Sequence, residues 1–360
     1  MIHKFSILLI SLSYALGVSH GQCHVDTTVI ADGLDVPWDL EWLDSRHLIF
    51  TEISGGIYSI DVFSKEKKEL YRFENVAREA QAGLMGITIG PMINGTKFIY
   101  VVYAFYDEDN SLKTRVSRLL YKNEKNGLYN EKILLEFPCA STNLGGRILY
   151  NQGYLYITVG DMDRGMIAQD LTKLNGKVLR INVDGSIPAE NPFPNSPIWT
   201  YGHRNPQGIT MSPNGIYISE HGTYIDDEIN LLEKGKNYGW PITSGFDEDD
   251  TLYQQPEYVW SPSIAPSGII SCHGCLHGDH LLVASLKEKR LYAFNFDPLG
   301  NLRTVQQHSL VENWVGRIRD VIQGVEPFEV YICTSNSDIY SEYGKRNDRI
   351  IKLKFSQCPE

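Results

Sequence analysis

A short strand-like pattern returns six times along this chain at nearly regular intervals. It combines aliphatic and aromatic residues, and it occurs at Leu48–Thr51, Ile99–Val102, Leu155–Thr158, Ile216–Ser219, Leu281–Ala284 and Val330–Cys333. The second residues of successive copies are 51, 56, 61, 65 and 49 positions apart. A repeat of this length that is built from strands is typical of a β-propeller, in which each repeat forms one sheet.

A second strand pattern follows most copies of the first. It is rich in β-branched and aromatic residues and occurs at Gly56–Asp61, Arg115–Leu120, Lys177–Asn182, Arg290–Asn295 and Arg349–Lys354. Few segments have helical periodicity, and a large β-sandwich, the alternative all-β architecture, gives no reason for such a repeat. The sequence therefore predicts an all-β fold, a six-bladed β-propeller.

The N-terminus has the pattern of a cleaved secretion signal. His3 and Lys4 precede an apolar run over residues 5–18, and small residues favour cleavage after Gly21. The run is too short for a membrane anchor, and no later segment is apolar enough to span a bilayer. We predict a signal peptide over residues 1–21, a single propeller domain over residues 22–360, and a secreted protein. The net charge of −11 argues against a nucleic-acid partner.

All six cysteines follow the predicted cleavage site, and an even number in a secreted chain favours disulfides. A propeller closes by pairing its two chain ends in one blade, which predicts a disulfide between Cys23 and Cys358. Cys139 and Cys333 would then form a long-range pair or remain as buried thiols.

The other two cysteines, Cys272 and Cys275, are separated by only two residues. A metal half-site or a redox motif are the alternatives, but the chain has no second such pair and no thioredoxin-like pattern around this one. We therefore predict a local disulfide. Asn94-Gly-Thr96 is the single N-glycosylation sequon, and it lies in a predicted turn.

Tight-turn motifs and charged residues are densest between positions 201 and 241. They include Tyr201-Gly-His-Arg-Asn-Pro-Gln-Gly208, Glu220-His-Gly222 and Asn237-Tyr-Gly-Trp-Pro241. With Gln81-Ala-Gly-Leu-Met-Gly86 and Arg317-Ile-Arg-Asp320, they resemble the soluble pyrroloquinoline-quinone (PQQ)-dependent sugar dehydrogenases, the glucose/sorbosone dehydrogenase family. The resemblance extends from residue 36 to residue 320. It implies a six-bladed propeller, PQQ and Ca²⁺ as cofactors, an aldose substrate and an external electron acceptor.

The resemblance also implies a cofactor site whose residues come from several repeats. The implied cofactor-binding residues are Gln81, Arg204, Asn205, Lys287, Arg317 and Arg319. PQQ is a planar tricarboxylate, and planar guanidinium groups suit carboxylates. Taken singly, each of these residues is as well explained as a solvated surface charge or a turn residue. Four converging cations would repel one another, however, and a polyanionic ligand would remove that repulsion.

Calcium is implied at two backbone carbonyls, those of Gly222 and Thr223. The family has proline at the second position, but Thr223 supplies a carbonyl as well. A calcium ion bound to the quinone would act as a Lewis acid. The nearby acidic run of Asp226, Asp227 and Glu228 is either a solvated loop or a second, structural calcium site, and we predict the calcium site.

One position departs from the family pattern. Where the family has His-x-Gly-Gly-Arg, this chain has Asn143-Leu-Gly-Gly-Arg147. The family's histidine accepts the proton of the anomeric hydroxyl, whereas an asparagine amide does not titrate near neutrality and offers only hydrogen bonds. Loss of a general base costs roughly 10²–10⁴-fold in rate. Asp161, which matches the acid beside that histidine, either accepts the proton through a water or caps a turn.

Two functions follow. The first is a secreted, PQQ- and calcium-dependent aldose sugar dehydrogenase that oxidises the C1 hydroxyl of a sugar to the lactone. The second is a catalytically impaired propeller that acts as a ligand-binding or interaction protein, which Asn143 favours. A calcium-dependent lactonase is a third possibility, but the candidate pore residues are mainly cations rather than the carboxylates and amides that such a site needs.

Overall fold

The computed structural model describes residues 24–356, apart from residues 126, 248–250, 277, 298, 313–314 and 341–346. In this part of the chain, strands form six four-stranded antiparallel sheets arranged as the blades of a propeller, so the predicted fold is confirmed. Two short 3-10 helices, Asn123–Lys125 and Gly165–Gln169, lie between strands. No helix of the described chain has the length and hydropathy needed to cross a membrane.

The strands are numbered in chain order, beginning with β1 (His24–Leu34). Blade 1 contains β2 (Pro37–Trp42), β3 (His47–Glu52), β4 (Gly56–Asp61) and β5 (Lys67–Arg72); blade 2 contains β6 (Leu84–Ile93), β7 (Thr96–Tyr106), β8 (Leu112–Lys122) and β9 (Gly127–Pro138). Blade 3 contains β10 (Gly145–Asn151), β11 (Tyr154–Val159), β12 (Lys177–Asn182) and β13 (Ile198–Tyr201).

The remaining three blades follow in the same order. Blade 4 contains β14 (Asn205–Ser212), β15 (Gly215–His221), β16 (Asp227–Leu231) and β17 (Tyr258–Trp260); blade 5 contains β18 (Pro266–Leu276), β19 (Gly278–Ser285), β20 (Arg290–Phe296) and β21 (Leu302–Glu312). Blade 6 contains β22 (Ile318–Gln323), β23 (Glu329–Thr334), β24 (Asp348–Ser356) and, as its outermost strand, β1.

The two ends of the described chain therefore pair in one blade, as predicted. β1 runs antiparallel to β24, and His24 lies opposite Ser356. Cys23 and Cys358 lie outside the described residues, so the disulfide predicted between them stays a prediction. Of the other cysteines, Cys272 and Cys275 form a disulfide, whereas Cys139 and Cys333 are buried free thiols.

The sixfold sequence repeat marks the second strand of each blade. These strands are covered on both faces by neighbouring blades, so nearly every residue in them is buried, as at Leu48–Phe50 and Val330–Ile332. A strand buried on both faces has a continuous apolar sequence rather than an alternating one, which makes it easy to recognise. The predicted glycosylation site, Asn94, lies at an exposed turn between β6 and β7.

Each innermost strand has a β-bulge or register shift close to its first residue. The shifts fall between Pro37 and Leu40, Leu84 and Ile87, Gly145 and Ile148, Pro206 and Gly208, Pro266 and Ile269, and Ile318 and Asp320. A bulge places two residues opposite one and turns a side chain out of the regular alternation. In this propeller the bulges turn polar side chains toward the central channel.

One of these side chains, Arg147, joins four blades. Its guanidinium pairs with Asp39 of blade 1 at 2.6 Å and with Asp320 of blade 6 at 2.8 Å. It also donates to the backbone oxygens of Gln207 at 2.8 Å and Arg319 at 2.9 Å. All three charged side chains are buried, and burial raises the pKa of both aspartates although Arg147 opposes that shift.

Candidate active site

A cavity of about 620 Å³ opens at the end of the channel where the innermost strands begin. This volume lies in the range of small-molecule sites. All six blades contribute lining residues, which include Trp38, Gln81, Asn143, Arg204, Asn205, Gln207, His221, Gly222, Thr223, Lys287, Arg317, Arg319, Asp338 and Tyr340. All six residues predicted to bind the cofactor are therefore in one place, together with both predicted calcium carbonyls and position 143.

The four predicted cations are held by backbone oxygens and one acid. Lys287, on the exposed rim, donates to the backbone oxygen of Ser263 at 2.9 Å. Arg317 and Arg319 both pair with Asp338, at 2.8 and 3.3 Å. Asp338 is the only carboxylate among the described lining residues, so the cavity wall carries an excess of positive charge in an acidic protein.

Arg319 is the most deeply placed of these cations. Its side chain is almost completely buried, its guanidinium lies 4.1 Å from the centre of the Trp38 ring, and its Nη1 donates to Gln207 at 3.1 Å. The pKa of Arg319 is lowered to about 10, mainly by burial and also by the neighbouring Arg317, while Asp338 opposes the shift. An anion in the cavity would stabilise this guanidinium.

Three buried nitrogens of the cavity wall have no hydrogen-bond partner among the described residues. They are Nε of Arg319, Nε1 of Trp38 and Nε2 of His221. Burial lowers the pKa of His221 to about 4, so its imidazole is neutral at pH 7. Unpaired buried polar atoms are costly unless a ligand or water satisfies them. The wall thus suits a ligand that carries several oxygen acceptors and negative charge.

The carbonyl oxygen of Gly222, one of the two predicted calcium ligands, accepts a hydrogen bond from Nη1 of Arg204. The same nitrogen lies 3.4 Å from the backbone oxygen of His221, and the guanidinium lies 5.5 Å from the centre of the Trp240 ring. These carbonyl oxygens therefore already attract a cation. Thr223 is exposed on the cavity wall beside them.

The predicted second calcium site has a different local structure from a solvated acidic loop. Asp227 and Glu228 begin β16 and are buried. The Asp227 carboxylate accepts hydrogen bonds from the backbone nitrogens of Gly222, Ile264 and Ala265 and from the Ser263 hydroxyl. It therefore ties blade 4 to the loop that precedes blade 5.

The other two acids of this run, Asp226 and Glu228, are also engaged. Asp226 accepts a hydrogen bond from Ser244 at 3.0 Å, and Glu228 accepts one from the backbone nitrogen of Gly245 at 2.7 Å. Burial and the nearby Glu220 raise the pKa of Glu228 to about 8. No group of three or more acidic, histidine or cysteine ligands occurs in the described chain, so a calcium ion here stays a prediction.

Asn143 lies two residues before β10, at the cavity wall, and its side chain contacts two carboxylates. Its Nδ2 donates to Oδ1 of Asp161 and to Oδ1 of Asp163, both at 2.9 Å. Asp161 is fully buried, accepts another hydrogen bond from Trp240 at 2.8 Å, and has a pKa raised by burial. Asp161 does not line the cavity, so the water-mediated route to this acid that the sequence suggested stays a prediction.

Several site residues were not predicted as such. Asp338 and Tyr340 lie between β23 and β24 of blade 6, and Tyr340 accepts a hydrogen bond from Gln81 at 3.0 Å. No sequence motif singles them out. His221 lies inside the motif Glu220-His-Gly222, so its position there could have identified it, and Trp38 lies only within the wider range that carries the resemblance.

Comparison with known proteins identifies relatives along most of the chain. The family model described as glucose/sorbosone dehydrogenase matches residues 34–341. The chain is 29% identical to the aldose sugar dehydrogenase YliI of Escherichia coli (strain K12), over 92% of this chain and 95% of that protein. It is 32% identical to quinoprotein glucose dehydrogenase B of Acinetobacter calcoaceticus, over 78% of this chain and 65% of that protein.

Among solved structures, the PQQ-bound aldose sugar dehydrogenase of Streptomyces coelicolor superposes with a TM-score of 0.81. The two chains are 28% identical, and the match covers 92% of this chain and 99% of that one. The sequence motifs, the six blades and the extent of these matches agree. The chain belongs to the glucose/sorbosone dehydrogenase family.

Proposed function

We propose that this protein is a PQQ-dependent aldose sugar dehydrogenase whose catalytic rate is limited by Asn143. The observation that carries the proposal is the set of four cations, Arg204, Lys287, Arg317 and Arg319, on the wall of one cavity with a single carboxylate among the described lining residues. In a chain with a net charge of −11, such a set is costly without an anionic ligand. The named relatives are sugar dehydrogenases, and one is a PQQ-bound structure.

The chain's own residues fit this cofactor. Arg317 and Arg319 present guanidinium groups that suit carboxylates, and Gln81 and Asn205 offer amides beside them. The unpaired nitrogens of Trp38, His221 and Arg319 are donors or donor-capable groups that oxygen atoms of a ligand would satisfy. PQQ, when bound, supplies the two-electron acceptor that no protein side chain provides.

Calcium is part of the proposal. The carbonyl oxygens of Gly222 and Thr223 are ligands of the type that Ca²⁺ prefers. Because the Gly222 oxygen accepts a hydrogen bond from Arg204, the ion would compete with this guanidinium for the same atom. Arg204 would then be free to contact an anionic cofactor.

The substrate side of the site is where this chain differs from an efficient enzyme. Oxidation of a sugar hydroxyl to a lactone releases one proton, and Asn143 has no basic group to accept it. Asp161 is enclosed behind Asn143, so no side chain of the described cavity wall takes the role of a base at this position. We infer slow turnover, with an external acceptor that reoxidises the cofactor.

The second candidate is a ligand-binding or interaction protein that retains the pocket without useful catalysis. Asn143 is the observation that favours it. We also propose that the protein is secreted, on the pattern of residues 1–21, and that neither nucleic acid nor a membrane is its partner.

Steady-state dye reduction tests the choice between the two functions. The protein is loaded with PQQ and Ca²⁺ and assayed with a panel of aldoses. Slow, sugar-dependent reduction that requires both cofactors supports the dehydrogenase. Bound PQQ with no turnover on any aldose supports the binding protein, and failure to bind PQQ contradicts the dehydrogenase.

A further inference from the structure

The Asn143 carboxamide is held between two carboxylates in one orientation. Its two N–H groups have two acceptors, Oδ1 of Asp161 and Oδ1 of Asp163. Because ionised carboxylates only accept hydrogen bonds, the nitrogen and not the oxygen of the amide must face them. No described residue donates a hydrogen bond to the amide oxygen Oδ1. This oxygen is not one of the buried atoms that lack a partner, and Asn143 lines the cavity.

Asp161 and Asp163 form a clamp on the Asn143 side chain, and the backbone around this clamp is left-handed at three residues. Asn143, Met162 and Asp163 have φ angles of 47°, 60° and 55°, in the left-handed region that few residues other than glycine adopt. Such a conformation persists where the surrounding structure enforces it. Here the backbone nitrogen of Asp163 donates to Asp161 at 2.9 Å, and that of Asn143 donates to Gln81 at 3.1 Å. These bonds fix both partners of the clamp.

We propose that Asp163 is a positioning residue that, with Asp161, locks the Asn143 amide so that its oxygen is a fixed hydrogen-bond acceptor for the reacting hydroxyl of the sugar. This proposal rests on the proposed function. A fixed acceptor recognises a ligand that donates a hydrogen bond at C1. An aldose with a free C1 hydroxyl fits, whereas a lactone presents another acceptor at that atom and is disfavoured.

With the clamp in place, the site therefore binds the substrate more tightly than its oxidised product. Asp163 differs from Asp161 in being exposed, and it lies outside the cavity wall. Its influence on a sugar would pass through Asn143 alone, which distinguishes a positioning role from direct contact.

Equilibrium binding tests the proposal without relying on turnover. Protein loaded with PQQ and Ca²⁺, with the cofactor chemically reduced so that no sugar is oxidised, is titrated by calorimetry with glucose, gluconolactone and 1,5-anhydroglucitol, which lacks the C1 hydroxyl. The wild type should bind glucose about tenfold more tightly than the other two, the scale of one hydrogen bond. Asp163→Gly, a change that suits the left-handed backbone, should reduce that preference to within about threefold.

Three further variants complete the test. Asn143→Gly removes the acceptor and should abolish the preference. Asp163→Asn keeps the backbone conformation and offers only a neutral acceptor. Its preference for glucose should therefore lie between that of the wild type and that of Asp163→Gly. Asp170→Asn removes an exposed carboxylate that accepts hydrogen bonds from Thr172 in the same chain segment, and its preference should equal that of the wild type.

The outcomes separate the clamp from the proposed function. An unchanged preference in both Asp163 variants overturns the clamp alone, because Asp163 would then be only structural. No binding of any of the three compounds to any of the variants overturns the proposed function and the clamp with it. Loss of PQQ binding in Asp163→Gly also contradicts the proposal, because Asp163 itself bonds to Thr142, Asn143 and Asp161 and to none of the predicted cofactor-binding residues.

Discussion

Restoring a histidine at position 143 should raise the turnover number of this protein. The amide nitrogen of Asn143 lies 2.9 Å from both Asp161 and Asp163, so an imidazole placed there would have a carboxylate to orient it. Histidine is one of the few residues enriched in the left-handed region, so the φ of 47° is tolerated. A positioned general base contributes roughly 10²–10⁴-fold, and that is the gain we expect in kcat.

The gain should depend on pH in a defined direction. Two nearby carboxylates favour the imidazolium and oppose the effect of burial on the new imidazole, whose ordinary pKa is about 6.5. Turnover of Asn143→His should therefore rise with pH through that range as the imidazole loses its proton. The assay is dye reduction with glucose in the presence of PQQ and Ca²⁺ between pH 5 and pH 9. Asn143→Gln, which lengthens the side chain without adding a base, is the matched control.

Two results would refute this reasoning. A wild type that is already fast and is slowed by Asn143→His shows that another group is the base. Equal gains in Asn143→His and Asn143→Gln show that size, rather than basicity, limits the site. Tight cofactor binding in every variant is required for either comparison, and it is checked by the absorbance of protein-bound PQQ.

Three other predictions concern stability and covalent structure. Arg147→Met leaves two buried aspartates without their counter-charge, so urea unfolding should show a free energy of unfolding lower by about 3–5 kcal/mol. The loss should be smaller at low pH, where these acids are protonated, and an equal loss at pH 5 and pH 8 would contradict this. Burial raises the pKa of Glu41 from 4.5 to about 7. Its contribution to the free energy of unfolding is therefore favourable below pH 4.5 and is lost as the pH rises to 7. Glu41→Gln should therefore stabilise the protein by at most about 3 kcal/mol at pH 8 and not at pH 4, and the same urea titration checks it. Peptide mapping of unreduced protein should recover Cys23 joined to Cys358, and recovery of Cys23 joined to Cys139 would contradict the predicted closure.

The repeated second strands made the fold predictable. Strands such as β11 and β23 are buried on both faces, and their continuous apolar sequence is visible without any tertiary information. The sequence pattern did not predict strand β16 of blade 4, because this strand begins with Asp227 and Glu228, whose charges suggest a loop or a metal site. The burial of Asp227 depends on hydrogen bonds from Gly222 and from the loop at residues 263–265, and that of Glu228 on one from Gly245, which no local pattern reveals.

The candidate site was predictable only where it lies within motifs. Arg204, Arg317 and Arg319, which line one cavity, could be predicted to share a site because each belongs to a recognisable segment. Asp338, which pairs with two of these arginines, and Asp163, which holds Asn143, act through contacts with distant parts of the chain. Arg319 lies at the register shift of β22, and a bulge shifts the register without an obvious mark in the sequence.

Calorimetric titration of the metal-depleted protein with PQQ, in the presence and absence of Ca²⁺, tests the cofactor site most directly. We expect one PQQ bound per chain, with higher affinity when Ca²⁺ is present. Arg317→Ala should weaken PQQ binding about 10–100-fold, the range for a lost charge-assisted hydrogen bond, whereas Arg349→Ala, which removes an exposed arginine of the same blade, should change nothing. No PQQ binding at saturating Ca²⁺, or equal affinity in both arginine variants, would contradict a PQQ site built on the cavity's cations.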